Sequence, residues 1–125
     1  MKKTSPEKYV KTPTGFPYSP VLSVEGKELV ITSGVCCDDY DGNIPEDMEL
    51  QARNTFLACE SILKDAGCDF SNVFHVEVYM SDLDNWGVFN KVYKEFMPDP
   101  LPTRKALQVG LLPGFKVEVV MWAMK

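Results

Sequence analysis

No apolar run in this 125-residue chain approaches the roughly 20 residues that a helix needs to cross a bilayer, so no membrane association is expected. Histidine occurs once, at His75, and the cysteines Cys36, Cys37, Cys59 and Cys68 are spaced by one, 22 and nine residues. Neither the count nor the spacing fits a zinc site, and no metal is expected. Thirteen basic residues are scattered against 18 acidic ones, for a net charge of −5. Without a basic stripe to displace counterions from phosphates, nucleic acid is not an expected partner. Phosphate loops, dinucleotide fingerprints and the G-x-S-x-G elbow are missing too. The opening "MKKTSPEKYVKTPTGFPYSP" carries lysines but no following apolar segment, so it does not read as a secretory signal. A soluble, cytoplasmic protein is expected, and disulfides are not.

What is present suffices for one domain with one core. Residues 1–14 are polar with two prolines and read as a tail or lead-in; residues 15–125 hold the domain. "YSPVLSVEGKELVITSG" alternates polar and apolar residues and breaks at Glu25-Gly26, which predicts a hairpin. "CCDDYDGNIPED" crowds Asp38, Asp39 and Asp41 but lacks the register of a calcium loop, and reads as a solvated turn. From Pro45 to Gly67, Met48, Ala52, Phe56, Cys59, Leu63 and Ala66 recur every three or four residues, as on one helix face. "SNVFHVEVYMSD" predicts a strand with His75, Glu77 and Tyr79 on one face and Phe74, Val76, Val78 and Met80 on the other. His75 has no nucleophile beside it in the pattern and reads as a half-buried or surface residue. A second helix follows, capped by Asp82 or Asp84, with Trp86, Phe89, Tyr93, Phe96 and Met97 as its core stripe. Two strands close the chain, Thr103–Gly110 and Lys116–Ala123, with a turn at Leu112-Pro113-Gly114.

The order β-β-α-β-α-β-β predicts an α+β domain, one sheet with helices on one face. The last strand is apolar in both phases: Val117, Val119 and Met121 alternate with Val120 and Trp122. A strand apolar on both faces is covered on both. Helices cover one, so a homo-oligomer is expected to cover the other.

The polar residues left at strand ends are Tyr18, Thr32-Ser33-Gly34, Arg104 and Glu118. A guanidinium fork matches a carboxylate with two parallel hydrogen bonds. A carboxylate inside "KVEVVMWA" must be paired, hydrogen-bonded or shifted in pKa. Two readings stand: Arg104 and Glu118 staple a hairpin as an ion pair, or they stay apart, one binding an anion and the other a water.

The chain resembles the YjgF/RidA family, also labelled endoribonuclease L-PSP, over about residues 15–124. "PYSPVLSVEGKELVITSG" looks like the family's opening hairpin, and "LQARNTFLACESILKDAG" like its first helix. "NVFHVEVYMSDLDNWGVFNKVYKEF" is similar to its next strand and helix. "LPTRKALQVGLLPGFKVEVVMWA" resembles its closing signature. The resemblance implies a chorismate-mutase-like (bacillus-type) mixed sheet, with two helices on one face, assembled as a trimeric barrel with sites between subunits. It implies hydrolysis of reactive 2-imino and 2-enamino acids to 2-oxo acids and ammonia, without metal or cofactor. On that likeness Arg104 clamps the substrate carboxylate and Glu118 orients or activates water. Tyr18 borders the cleft, Ser33 and Gly34 approach the ligand, and Asn90 lies near the site with a structural role. The sequence departs from the family pattern at Phe16, Pro20, Cys36, Cys37, Lys105, Ala106 and Val120, which reshapes the pocket rim. Two other functions compete: a non-catalytic trimeric binder of small carboxylates such as 2-oxo acids, and a nuclease or translation inhibitor. The acidic composition opposes the latter.

Overall fold

The computed structural model describes residues 1–4, 16–37 and 42–125. The acidic turn residues Asp38, Asp39 and Asp41 lie outside the described residues, as does most of the polar lead-in. The described elements run β1 (Lys2–Thr4), β2 (Ser23–Glu25), β3 (Leu29–Ile31), α1 (Met48–Asp65), β4 (Val73–Met80), α2 (Trp86–Phe96), β5 (Thr103–Gln108) and β6 (Val117–Met124). Short 3-10 turns precede β4 and α2.

Four strands form the main sheet in the order β3-β6-β4-β5. β4 runs parallel to β5 and antiparallel to β6, and β3 is antiparallel to β6. Both helices lie on one face, as expected. α1 starts at Asp47, whose side chain accepts from Leu50 N at 2.9 Å. That cap satisfies a helix-end donor, and it sits two residues past the proline that the sequence suggests. Gly67, at φ 77°, takes the left-handed turn that ends the helix. Along α1, Met48, Ala52, Phe56, Cys59 and Leu63 are buried. Phe56 is the hub, with ring centroids 5.2 Å from Phe96, 5.6 Å from Phe89 and 5.7 Å from Tyr93. Val76, Val78, Met80, Val117, Val119 and Met121 supply the sheet side of this core.

Two sequence expectations about pairing are corrected. β2 and β3 exist, but they do not pair with each other: β2 pairs with β1, and β3 with β6. The cause lies at the bend. Lys27 N and Glu28 N both donate to Lys125 O, at 2.9 and 2.7 Å, so the turn is tied to the end of β6 rather than closed on itself. Gly26 is required there, since a Cβ would stand 2.1 Å from Met124 Cγ.

β5 and β6 likewise form no hairpin, because β4 lies between them. The connection crosses the end of β4: Val109 N donates to Met80 O at 2.9 Å, and Ser81 N to Lys116 O at 3.1 Å. Fully buried Gln51 of α1 fastens this crossing. Its Nε2 donates to Pro45 O (2.7 Å) and Gly114 O (2.9 Å), and its Oε1 accepts from Lys116 N (2.9 Å). A buried amide with every group satisfied holds one arrangement.

A register shift between Val73 and His75 also moves Phe74 out of the predicted phase. Val73 and Val76 both face the core. Phe74 instead borders a surface cavity of about 470 Å³ with Leu22, Val24, His75, Glu77, Thr103 and Trp122.

Neither of the described α-helices lies on the second sheet face. Leu29, Ile31 and Leu107 are 50%, 49% and 46% exposed there, beside half-buried Val120 and Trp122. A polar ladder crosses the same face. Tyr79 Oη donates to Glu77 Oε2 at 2.9 Å, Lys105 Nζ lies 3.3 Å from Glu77 Oε1, and His75 Nδ1 meets Thr103 Oγ1 at 2.7 Å. His75 is thus a half-buried residue of this ladder.

Candidate functional site

The residues singled out from the sequence fall into two groups. The first surrounds Arg104 on the helix-bearing face. Its β5 position lies opposite Val76, a core-facing residue of β4, so its side chain runs toward α2. Nη1 donates to Asn90 Oδ1 at 2.7 Å. Around the guanidinium carbon lie the rings of Tyr93, Trp86, Tyr18 and Phe89, with centroids at 4.9, 5.4, 5.9 and 6.0 Å. Among the described residues, no carboxylate comes within ion-pair distance of it.

The electrostatics follow from that setting. Burial pulls the Arg104 guanidinium below its ordinary pKa, with Tyr93 and Tyr18 opposing the shift. An arginine nonetheless stays charged at neutral pH. Ring faces attract the cation, each by roughly 0.5–2 kcal/mol. Asn90 satisfies one of its five N–H donors. Burial also pushes the Tyr93 hydroxyl up, and that hydroxyl is buried without a hydrogen-bond partner among the described residues. The assembly is a cation held in a half-dry aromatic cage, with donors to spare for an anion.

The second group surrounds Glu118 on the helix-free face. Residues 32–35 run alongside β6: Thr32 N donates to Met121 O at 3.0 Å, and Val35 and Val119 exchange bonds of 2.8 and 3.0 Å. With Val35 turned into the core, Gly34 and Cys36 flank Glu118. A Cβ on Gly34 would lie 2.7 Å from Glu118 Cδ, so the missing side chain is what lets the carboxylate rest against the backbone. Cys36 Sγ approaches Glu118 Oε1 at 3.5 Å. Ser33 is exposed beside them. The two adjacent cysteines divide, with Cys36 half-buried against Glu118 and Cys37 buried.

These two groups do not meet within one chain. Arg104 stands opposite Val76 and Glu118 opposite Tyr79, on the two sides of β4. Three residues along a strand and two strand spacings put their Cα atoms roughly 14 Å apart. The odd offset sends the side chains to opposite faces. The hairpin ion pair is therefore excluded within one chain, and the two residues stay apart. Tyr18 and Asn90 belong with Arg104; Ser33 and Gly34 belong with Glu118.

Sequence reasoning assigned Trp86, Phe89 and Tyr93 to the core alone. Phe89 and Tyr93 are core residues, but their rings, with that of Trp86, also wall in the guanidinium. The signal was Asn90, a polar residue between Phe89 and Tyr93 on an otherwise apolar stripe.

Comparison with known proteins gives a consistent picture. The profile of the Endoribonuclease L-PSP family matches residues 11–125. A mouse protein named 2-iminobutanoate/2-iminopropanoate deaminase is 35% identical over 105 residues, covering 82% of this chain and 77% of its own. The crystal structure of RidA from an Antarctic Psychrobacter superposes with a TM-score of 0.75 at 28% identity, over 91% of this chain and 92% of that one. Escherichia coli TdcF with bound serine gives 0.72 at 27% identity, over 94% and 99%.

Proposed function

The chain belongs to the Endoribonuclease L-PSP family, the YjgF/RidA proteins, and from that premise we propose that it hydrolyses reactive 2-imino acids to 2-oxo acids and ammonia. The observation that carries this reading is Arg104: a caged guanidinium, anchored through Nη1 to Asn90 and lacking a carboxylate partner among the described residues. Such a fork suits a ligand carboxylate. The deaminase relatives support the choice of an imine as the reacting group.

The chemistry needs few groups. A 2-enamino acid first tautomerises to the imine, which is electrophilic once protonated on nitrogen. Arg104 fixes the carboxylate and so the position of the adjacent C=N carbon. Glu118 accepts a proton from water as its oxygen bonds to that carbon. The resulting 2-amino-2-hydroxy acid takes the proton on nitrogen. Glu118 then takes the hydroxyl proton as the C=O forms and the C–N bond breaks, ammonia departs, and the 2-oxo acid remains.

Because Arg104 and Glu118 lie on opposite faces of one sheet, this mechanism uses two chains. A homotrimer packed through the helix-free face would set the Glu118 group of one protomer against the Arg104 group of the next. The exposed Leu29, Ile31 and Leu107 support assembly through that face. The same separation supports the second reading. If the trimer does not bring Glu118 against the bound ligand, it binds small carboxylates such as 2-oxo acids through the Arg104 cage without turning them over.

The test follows imine consumption and ammonia release with freshly generated 2-iminobutanoate. Acceleration over the spontaneous rate is expected. Binding of 2-oxobutanoate with no acceleration would leave the binder reading in place.

A further inference from the structure

The cage around Arg104 has an outer wall. Phe16, 41% exposed, stacks on Tyr18 at 6.2 Å between centroids, with the planes 24° apart. It also meets Trp86 edge-on at 6.0 Å and 80°. Tyr18 and Trp86 in turn flank the guanidinium. The three rings therefore form a continuous aromatic surface that begins at the cation and ends in solvent.

We propose that this surface makes the site selective for carboxylates bearing an aryl group, with Phe16 as the specificity-determining residue and 2-imino-3-arylpropanoates as the preferred substrate class. The inference rests on the proposed deaminase site and names its substrate. A ligand whose carboxylate sits on Arg104 then leads its C2 substituent outward along Tyr18 and Trp86, past the N-terminal end of α2. A methyl or ethyl group ends within that first pair of rings. An aryl group one methylene further out reaches the exposed ring of Phe16. Aromatic pairs there favour offset or edge-on contacts, as Phe16 already makes with its neighbours, and add to the area removed from water. Phe16 stands outside the hydrophobic core, and its one described packing role is against Tyr18 and Trp86.

The test compares kcat/KM for 2-imino-3-phenylpropanoate and 2-iminobutanoate, each generated in place from its amino acid. For the native chain the ratio should exceed one. In Phe16→Gly it should fall about tenfold, in line with the loss of one aromatic contact and its buried area. Phe16→Leu, which keeps apolar bulk without a flat ring, should fall part of the way, and Phe16→Tyr should keep the native ratio. A native ratio below one, or a ratio that Phe16→Gly leaves unchanged, overturns the proposal. A parallel titration separates it from the deaminase reading. If no imine is turned over but 3-phenyl-2-oxopropanoate binds more tightly than 2-oxobutanoate, and Phe16→Gly abolishes the preference, the aryl site stands and the deaminase does not. Equal binding of the two oxo acids, with or without turnover, removes the aryl site.

Discussion

Arg104 and Glu118 stand on opposite faces of the same sheet, one strand to either side of β4. That relationship decides how the chain can work. Each residue has its own supporting cast. Arg104 has Asn90 and four rings; Glu118 has the bare backbone of Gly34 and the thiol of Cys36. Neither cast has what the other supplies.

Substituting Arg104 separates charge from geometry. Arg104→Ala should lower kcat/KM for any 2-imino acid by about a hundredfold or more, the scale of losing one partner of a buried charge pair. Arg104→Lys keeps the charge but loses the planar fork held by Asn90, and should recover only a small part. Steady-state kinetics beside a thermal melt check both. Activity near native in Arg104→Ala would remove the clamp.

Gly34→Ala probes the other half. The backbone at Gly34 is outside the left-handed region, so alanine is tolerated conformationally. Its Cβ would overlap the Glu118 carboxyl, and that flexible end must move. Stability should change by less than about 1 kcal/mol. The kcat should fall about tenfold to a hundredfold, as expected for a misplaced base. An unchanged kcat would show that the carboxylate does not act from this position.

The polar ladder makes a pH prediction. The Tyr79 hydroxyl holds the Glu77 carboxyl below its ordinary value of 4.5; burial opposes that shift, and Lys105 and then His75 add to the lowering. A depressed folded-state pKa contributes stability above 4.5 and loses it as pH falls through the lowered value. Denaturant midpoints measured across that range should drop less for Glu77→Gln than for the native chain. Parallel curves for the two would contradict the assignment.

Much of the fold was legible in the sequence because it is written in period and punctuation. The α1 stripe from Met48 to Leu63 and the alternation of β6 are local patterns, and both helices and the late strands follow from them. Pairing partners are not local. Nothing near Gly26 announces that Lys27 and Glu28 bond to Lys125, a contact nearly a hundred residues away. Gln51 reads as one more polar position on a helix, yet it holds the crossing that keeps β5 and β6 apart. The site was half legible for the same reason. Arg104 and Glu118 stood out as charges in apolar strands. Their separation depended on which strand lies between them, and the aromatic cage on which helix face lies beneath β5.

The central claim is that one working site takes Arg104 from one chain and Glu118 from another. Arg104→Ala and Glu118→Gln chains, each inactive alone, should be unfolded together, refolded as mixed oligomers and assayed with 2-iminobutanoate. Random mixing in a ring of heterologous interfaces places an intact Arg104 against an intact Glu118 in about a quarter of sites, so about a quarter of native activity should return. Mixed oligomers that form and remain inactive would contradict the account.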